Sequence, residues 1–398
     1  MVLLFDWFWW WAVRVAGLMS GTSLDGLSVA YVDVESVEPF KAGFIDGRTF
    51  AYPEDLRGRL LSIAEGGSVS ARDIAYAHRD LGVFAKECLK SLRGEGWGAP
   101  ELVGFHGQTV YHEGRVVTLQ LGDPSHIYVE FGYPVISDFR SADIAAGGEG
   151  APLVPLVDYL KYRDKEHSRI ILNIGGIASI TYLPRGRGLE DVVAFDTGPG
   201  VMLVDRAVNL FVDSSLRYDV DAKIARRGRV SAELLDYLLE EDDYRLRGYP
   251  KSTGRERYGG EFLLKIWGNA KRLGLAPEDV VATLSEYTVF MIEYHAGFMI
   301  EYHAGLVASR FGLDEIIAGG GGTRNPYIMS RLKANRLGVK VSTHEDYGVP
   351  RDYWECYAFA VLAYLTRSGY AGNIPSVTGA NKRVVLGRIN PPLRGGFK

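Results

Sequence analysis

Four short apolar runs in this chain each break off into glycine or polar residues, and that pattern limits the fold more than any other feature. Leu102 to Phe105 ends in His106-Gly107-Gln108-Thr109, and Ile170 to Ile174 ends in Gly175-Gly176. Val192 to Phe195 ends in Asp196-Thr197-Gly198-Pro199-Gly200, and Glu315 to Ala318 ends in Gly319 to Gly322. Short apolar runs bounded by turn residues read as buried strands. Helical patterns separate them, over roughly Ser70 to Leu92, Ser231 to Glu240, Gly260 to Leu273, Pro277 to Phe311 and Trp354 to Ser368. Strands alternating with helices predict an α/β protein. Polar and glycine residues at strand ends are where such folds place ligands.

The 398 residues suffice for two domains, and 47% hydrophobic with 24% charged content is ordinary for a globular protein. A net charge of −4 argues against a general nucleic-acid binder, which would carry a basic face. The two cysteines, Cys88 and Cys356, are too few for a disulfide framework, so a reducing cytoplasm fits. Glutamine occurs only at 108 and 120 while charged residues are plentiful, which leans toward a heat-adapted source. The first eleven residues, MVLLFDWFWWW, are too short for a membrane span and contain Asp6. They lack the basic n-region of a signal peptide and the basic face of an amphipathic anchor. We therefore expect no membrane partner, and an upstream mis-called start with the chain proper beginning near Val13.

The run Gly17-Leu18-Met19-Ser20-Gly21-Thr22-Ser23-Leu24-Asp25-Gly26 sits between the strand-like stretches Val13 to Ala16 and Leu27 to Val34. Glycines adopt turn conformations that expose N–H groups, and successive N–H groups make an anion-binding concavity. This predicts a phosphate-cradling β-hairpin, with Asp25 as an acceptor for a Mg²⁺-bound water. An ordinary Gly-rich hairpin turn is the alternative. Asp196 at its strand end is a candidate general base; it could instead bind Mg²⁺ or cap the following helix. Gly320-Gly321-Gly322-Thr323-Arg324-Asn325-Pro326 would let a nucleotide ring lie on its backbone, with Asn325 capping the next helix. Neither a dinucleotide fingerprint nor a P-loop is present. The order of these three loops matches the layout of actin-like, hexokinase-like ATPases.

Together with Gly104–Thr109, Gly122–Pro124, Asp138–Asp143, Ala145–Gly148, Gly150–Pro155, Asn173–Gly176, Pro250–Arg255 and Asn373–Ala380, these motifs resemble the anhydro-N-acetylmuramic acid kinase family, colinearly from about Val13 to Ile389. The resemblance implies two actin-like (ribonuclease H-like) domains flanking an active-site cleft. Residues 13–146 with 355–398 would form the first domain and 147–354 the second. It implies ATP as phosphoryl donor and Mg²⁺. Water would open the 1,6-anhydro bridge at C1 while O6 takes the γ-phosphoryl group. Asp196 would be the catalytic base. Gly21, Thr22, Ser23, Leu24, Asp25, Gly26, Leu27 and Ser28, with Thr197, Gly198 and Gly200, would serve the phosphates. Gly320, Gly321, Gly322 and Asn325 would serve adenosine. Sugar contacts would fall to His106, Gln108, Arg140, Asp143 and Glu355, with an arginine suited to the lactyl carboxylate. Simpler roles compete: Arg140 with Asp143 as an ion pair, His106 as a turn anchor, Glu355 as a complement to a helix dipole. A homodimer is implied as well.

Several positions depart from the family pattern. Ser28 stands where Asp is usual, Ser179 and Val201 where Asn is usual, Glu149 for Gln, Ala222 for Gly and Cys356 for Ala. These put the sugar in question, so a kinase for another anhydro sugar such as levoglucosan, or a non-catalytic nucleotide-binding regulator, stays open.

Phe290–Gly297 is followed at once by an identical Phe298–Gly305. Eight residues turn an α-helix by about 800°, two turns plus roughly 80°, so the copies cannot present one face without a kink or bulge. The His295/His303 and Glu293/Glu301 pairs read as products of a recent duplication rather than a metal site. Between Thr283 and Gly319 the chain exceeds the family pattern by about one copy. Deleting one copy should leave melting temperature and turnover unchanged or higher; a severe loss of either contradicts the duplication reading.

Overall fold

The computed structural model describes residues 12–21, 24–306 and 312–391, with only the backbone described from 300 to 306. The chain divides into two compact units, Met1–Lys161 with Tyr353–Lys398, and Tyr162–Asp352. The first break lies beyond the expected residue 146 because the next few residues are bonded into the first unit. The Gly150 amide donates to Asp143 at 2.8 Å, and the Glu149 amide to the Thr378 carbonyl at 2.7 Å.

The first unit begins with strands β1 (Val13–Met19), β2 (Gly26–Val37) and β3 (Phe40–Ala51), then helices α1 (Glu54–Ala64) and α2 (Ala71–Gly94). Next come β4 (Leu102–Phe105), β5 (Gln108–Glu113), β6 (Val117–Leu121), α3 (Ser125–Phe131), β7 (Val135–Ser137), α4 (Ser141–Ala145) and α5 (Pro155–Tyr162). The second unit holds β8 (Arg169–Ile174), β9 (Ile177–Leu183), β10 (Val193–Pro199), α6 (Met202–Ala207), α7 (Ala232–Glu241) and α8 (Gly260–Arg272). It closes with α9 (Pro277–Leu306), β11 (Glu315–Gly319), α10 (Pro326–Lys333) and β12 (Lys340–Thr343). The chain then returns to the first unit through α11 (Trp354–Arg367), α12 (Pro375–Thr378) and β13 (Arg388–Asn390).

Each unit is built on one mixed sheet, and the two sheets share one strand order. The first runs β3-β2-β1-β4-β7, extended by β13, and the second runs β10-β9-β8-β11-β12. In each, three successive strands form an antiparallel meander, the next sheet strand joins its first strand in parallel, and the one after joins that strand in parallel. Parallel neighbours require long crossovers, which is where the helices fall. This repeated order bears out the α/β class expected from the sequence.

Local chemistry explains the elements. Ser70 caps α2 in a capping box with Asp73, and Ala77, Leu81, Ala85, Cys88, Leu89 and Leu92 bury one helical face. The other face of the first sheet is covered by α11, which packs across β1, β2 and β4. Gly17 permits that approach. It lies within β1, opposite Ala30 and Gly104, and a Cβ there would run into the Cys356 carbonyl oxygen. Both cysteines are buried and unpaired.

Replacing Gly17 by Ala should cost about 2 kcal/mol or more through overpacking and lower the melting temperature by roughly 4 °C or more. Gly43→Ala, where an added Cβ meets nothing within 4 Å, should be silent. Equal melting temperatures for the two variants contradict the packing role.

Candidate active site

Asp196 lies on β10, within the strand and not in the expected turn. Asp196 pairs with Ser179 and Gly198 with Ala178, so Thr197 is the extra residue of a β-bulge. The buried Thr197 hydroxyl donates to the Ala178 carbonyl at 3.1 Å, and Gly198 takes φ 138°. Asp196 caps no helix: α6 starts at Met202, after Val201, with no side-chain cap.

Three contacts fix Asp196. Its amide donates to the Lys251 carbonyl at 3.2 Å, and its carbonyl accepts the Tyr244 hydroxyl at 3.0 Å. Its Oδ2 accepts the Thr253 amide at 2.9 Å. Burial pushes the carboxyl up to about 6, Thr253 pulling it down and the charge of Glu256 adding to the rise. The register continues across the sheet, Asp196 opposite Ser179, Ser179 opposite Asn173, and Asn173 opposite Gly319. Opposed residues share a face, so one polar row joins Asp196 to the glycine loop after β11.

In that loop Gly320 has φ +81°, and a Cβ there would meet the Asn173 side chain and the Ile174 carbonyl. Gly322 packs on Ile174, whereas a Cβ at Gly321 would meet nothing within 4 Å. Gly321 is thus the open surface of the turn. Asn325 caps α10, accepting from the amides of Tyr327 at 3.0 Å and Ile328 at 3.2 Å. The Gly200 amide is committed to the Gly176 carbonyl at 2.8 Å, and that of Val201 to Gly175 at 2.9 Å. Both amides are therefore committed within the protein. Val201 itself packs against the apolar cluster around Ile170, Ile174 and Ile180. Ala222, at a family glycine position, takes φ 53°, a left-handed strain of about 1–2 kcal/mol.

In the first unit the expected three-glycine turn shrinks. Gly17 and Gly26 belong to β1 and β2, and only Gly21 lies in the connection. Thr22 and Ser23 lie outside the described residues. The Leu24 amide closes on the Gly21 carbonyl at 3.3 Å, with Leu24 buried at φ 55°. Asp25 is exposed, 3.8 Å from Arg57. Leu27 is core, and Ser28 bonds Thr49 across the strands at 2.8 Å.

The expected sugar contacts separate into distinct roles. His106 is buried; its Nδ1–H donates to the Gly107 carbonyl at 2.9 Å and its Nε2 accepts Arg140 Nε at 3.1 Å. Burial, then the Arg140 charge, pushes the ring down to about 3, so it is a neutral acceptor that aims Arg140. Arg140 Nη1 donates to the Gly150 carbonyl at 2.9 Å, and the Glu355 carboxylate acts on its charge. Gln108 accepts the Ser20 hydroxyl, which in turn accepts Tyr52 at 2.6 Å, tying β5 to the end of β1. Asp143 is fully buried and spends both oxygens on Asn373 at 2.7 Å, Thr378 at 2.8 Å and Gly150. Arg140 and Asp143 therefore form no ion pair; they hold opposite ends of Gly150. Glu355 is exposed in the first turn of α11.

Sequence reasoning assigned no role to Tyr244, Lys251, Thr253, Ser20 or Tyr52. The Pro250–Arg255 motif was the available signal for two of them; Tyr244 gave none. The Glu301 and His303 side chains lie outside the described ones, and among described residues no three His, Cys, Asp or Glu cluster as a metal cage.

Two sheets of one strand order define an α/β protein of two like units. The sequence profile of anhydro-N-acetylmuramic acid kinase matches residues 13–392. The anhydro-N-acetylmuramic acid kinase of Gloeobacter violaceus is 39% identical over 384 residues, 94% of this chain and 98% of that protein. Those of Francisella tularensis subsp. novicida and Caldanaerobacter subterraneus are 38% and 35% identical, over 94% of this chain and 97% and 96% of their own. The chain belongs to the anhydro-N-acetylmuramic acid kinase family. Among solved structures, an activator of 2-hydroxyisocaproyl-CoA dehydratase from Clostridium difficile with bound ADPNP aligns at TM-score 0.40 and 12% identity, over 88% of this chain and 94% of its own.

Asp143→Ala strands three buried donors and should cost about 3 kcal/mol or more with no sugar present. A calorimetric melt at the wild-type temperature contradicts this structural role.

Proposed function

We propose that this protein is an ATP-dependent kinase that opens 1,6-anhydro-N-acetylmuramic acid with water and phosphorylates O6, giving N-acetylmuramic acid 6-phosphate. The observation that carries the reading is Asp196, a largely buried carboxylate beside a β-bulge, pushed up to about 6 by burial and oriented by the Thr253 amide. A base of that strength accepts a water proton near neutral pH. Asp196 takes the proton as the water oxygen bonds to C1. The C1–O6 bond breaks, O6 bonds to the γ-phosphorus, and the β,γ-bridging oxygen leaves with ADP.

Each unit supplies its own groups. In the second, the open face at Gly321 suits adenosine, with Gly320, Gly322 and Asn325 shaping the turn. The row from Asp196 to this loop spans four strands, three spacings or roughly 14 Å, the reach of a nucleoside triphosphate. In the first, the Gly21–Ser28 segment suits phosphates through its backbone, since Leu24 and Leu27 are buried. The exposed Asp25 fits Mg²⁺, which takes few protein carboxylates and keeps its waters. When bound, that ion would neutralise charge on the phosphates. Arg140, aimed by His106 through Nε and held by Gly150 through Nη1, keeps a positive charge that suits the lactyl carboxylate. That favours N-acetylmuramic acid over levoglucosan, which has no carboxylate. The reading also places the protein in the cytoplasm as a homodimer; no described helix is long and apolar enough to cross a membrane.

Asp196→Asn should lower kcat by at least about 100-fold while ATP still binds, read by ADP release and by calorimetric titration. Wild-type kcat should fall as pH drops through about 6, because the base works ionised. Retained turnover in Asp196→Asn, or a kcat flat through that range, contradicts the assignment.

A further inference from the structure

The segment that holds Asp196 has no regular structure of its own. Residues 249–254, which include the Pro250–Arg255 motif left without a function above, belong to neither strand nor helix. Yet this segment gives Asp196 both a main-chain acceptor at Lys251 and a donor at Thr253. An irregular stretch keeps one geometry only if side chains pin it.

Two anchors do so. The Tyr249 ring stacks on Phe195 at 5.5 Å, beside Asp196 in sequence. The Lys251 ammonium folds inward, donating to the Tyr244 carbonyl at 3.0 Å and to His295 Nε2 at 2.8 Å. It also lies 4.5 Å from the Tyr244 ring centre. His295, on α9, is buried, and its Nδ1–H donates to the Met291 carbonyl at 2.7 Å. That bond fixes the tautomer, leaving Nε2 as an acceptor. Burial, then the Lys251 charge, pushes the imidazole down to about 4, so it stays neutral and able to accept. Tyr244 closes the circuit, because its hydroxyl bonds the Asp196 carbonyl and its own carbonyl receives Lys251.

We propose that His295 and Lys251 are positioning residues for Asp196: the buried imidazole anchors the Lys251 ammonium, and the anchored segment holds the Thr253 amide on the Asp196 carboxylate. The proposal rests on Asp196 being the base. Neither residue touches a reacting atom. They fix the direction of the carboxylate, and a misplacement of about 1 Å at such a group costs on the order of 100-fold in rate. The repeat is compatible with this anchor. The two copies are identical, so deleting either one yields the same polypeptide with a histidine at position 295.

The pH readout has a definite sign. The titratable and charged groups around Asp196 are Glu256 and Lys251 on the segment, Tyr244 before it, and His295 on α9. Asp242, Arg247 and Arg257 lie around Lys251 and Tyr244. The Thr253 amide favours the ionised carboxylate. Loosening it raises the pKa, so the acid limb of kcat moves to higher pH.

The test compares His295→Phe, His295→Gln and Lys251→Met with wild type and Asp196→Asn, measuring ADP release at saturating anhydro sugar. His295→Phe removes the acceptor and should lower kcat roughly 10- to 100-fold. Its KM for ATP should stay at the wild-type value, and its acid limb should move up in pH. His295→Gln keeps an acceptor and should recover most of the lost rate. Lys251→Met leaves His295 on Met291 and should repeat the kcat and pH changes; it decides the matter if His295→Phe does not fold. Wild-type kcat and acid limb in a folded His295→Phe or Lys251→Met overturn the proposal, as does a His295→Gln no better than His295→Phe. An active Asp196→Asn instead overturns the base assignment itself, so the two failures are told apart.

Discussion

The single hydrogen bond from the Thr253 amide to Asp196 Oδ2, 2.9 Å long, is the constraint on which the proposed chemistry depends. A buried carboxylate without a donor would be protonated and useless as a base. One wrapped in several donors would be too weak. Burial against one amide leaves Asp196 near 6, between those extremes. The β-bulge at Thr197 aims the side chain, and the Gly175–Gly200 contact ends the strand just beyond it. In the proposed reading the second sheet presents one polar row running from the Gly320 loop to Asp196.

The first unit works by elimination. Nearly all its buried polar groups near the strand ends are consumed within the protein. Asp143 pins α4 to the returning C-terminal segment, Gln108 joins β5 to Ser20, and His106 uses both ring nitrogens. In the proposed reading Arg140, held at Gly150 and His106 and facing the Glu355 charge, is left to meet the sugar. Desolvation brings that guanidinium down only to about 10, so it stays charged at neutral pH. In that reading a fixed cation would favour an anionic group on the sugar, and the carboxylate of N-acetylmuramic acid supplies one.

Much of this was legible in the sequence. Helical periodicity placed α2, α8 and α11 within two residues of their observed ends, because amphipathic spacing and caps such as Ser70 are local signals. The apolar run 102–105 is β4 itself. The glycine-rich stretch was misread as one turn because Gly17 and Gly26 are needed for close packing by α11 and β3, a tertiary demand that leaves no local mark. Asp196 was found but placed in a turn, since a bulge looks like one in sequence. The roles of Asp143 and His106 were hidden because their partners lie far along the chain. Tyr244 carried no motif and His295 stood out only as part of the repeat; both roles became visible only through their contacts with Asp196 and Lys251.

The account stands or falls on the sugar. The direct measurement is ADP release by the purified protein with ATP and Mg²⁺, comparing 1,6-anhydro-N-acetylmuramic acid, levoglucosan and no sugar. Turnover with the first at a kcat/KM at least about 100-fold above levoglucosan is expected, given a site built to pair a carboxylate. Equal or greater efficiency with levoglucosan, or no turnover with either, contradicts it.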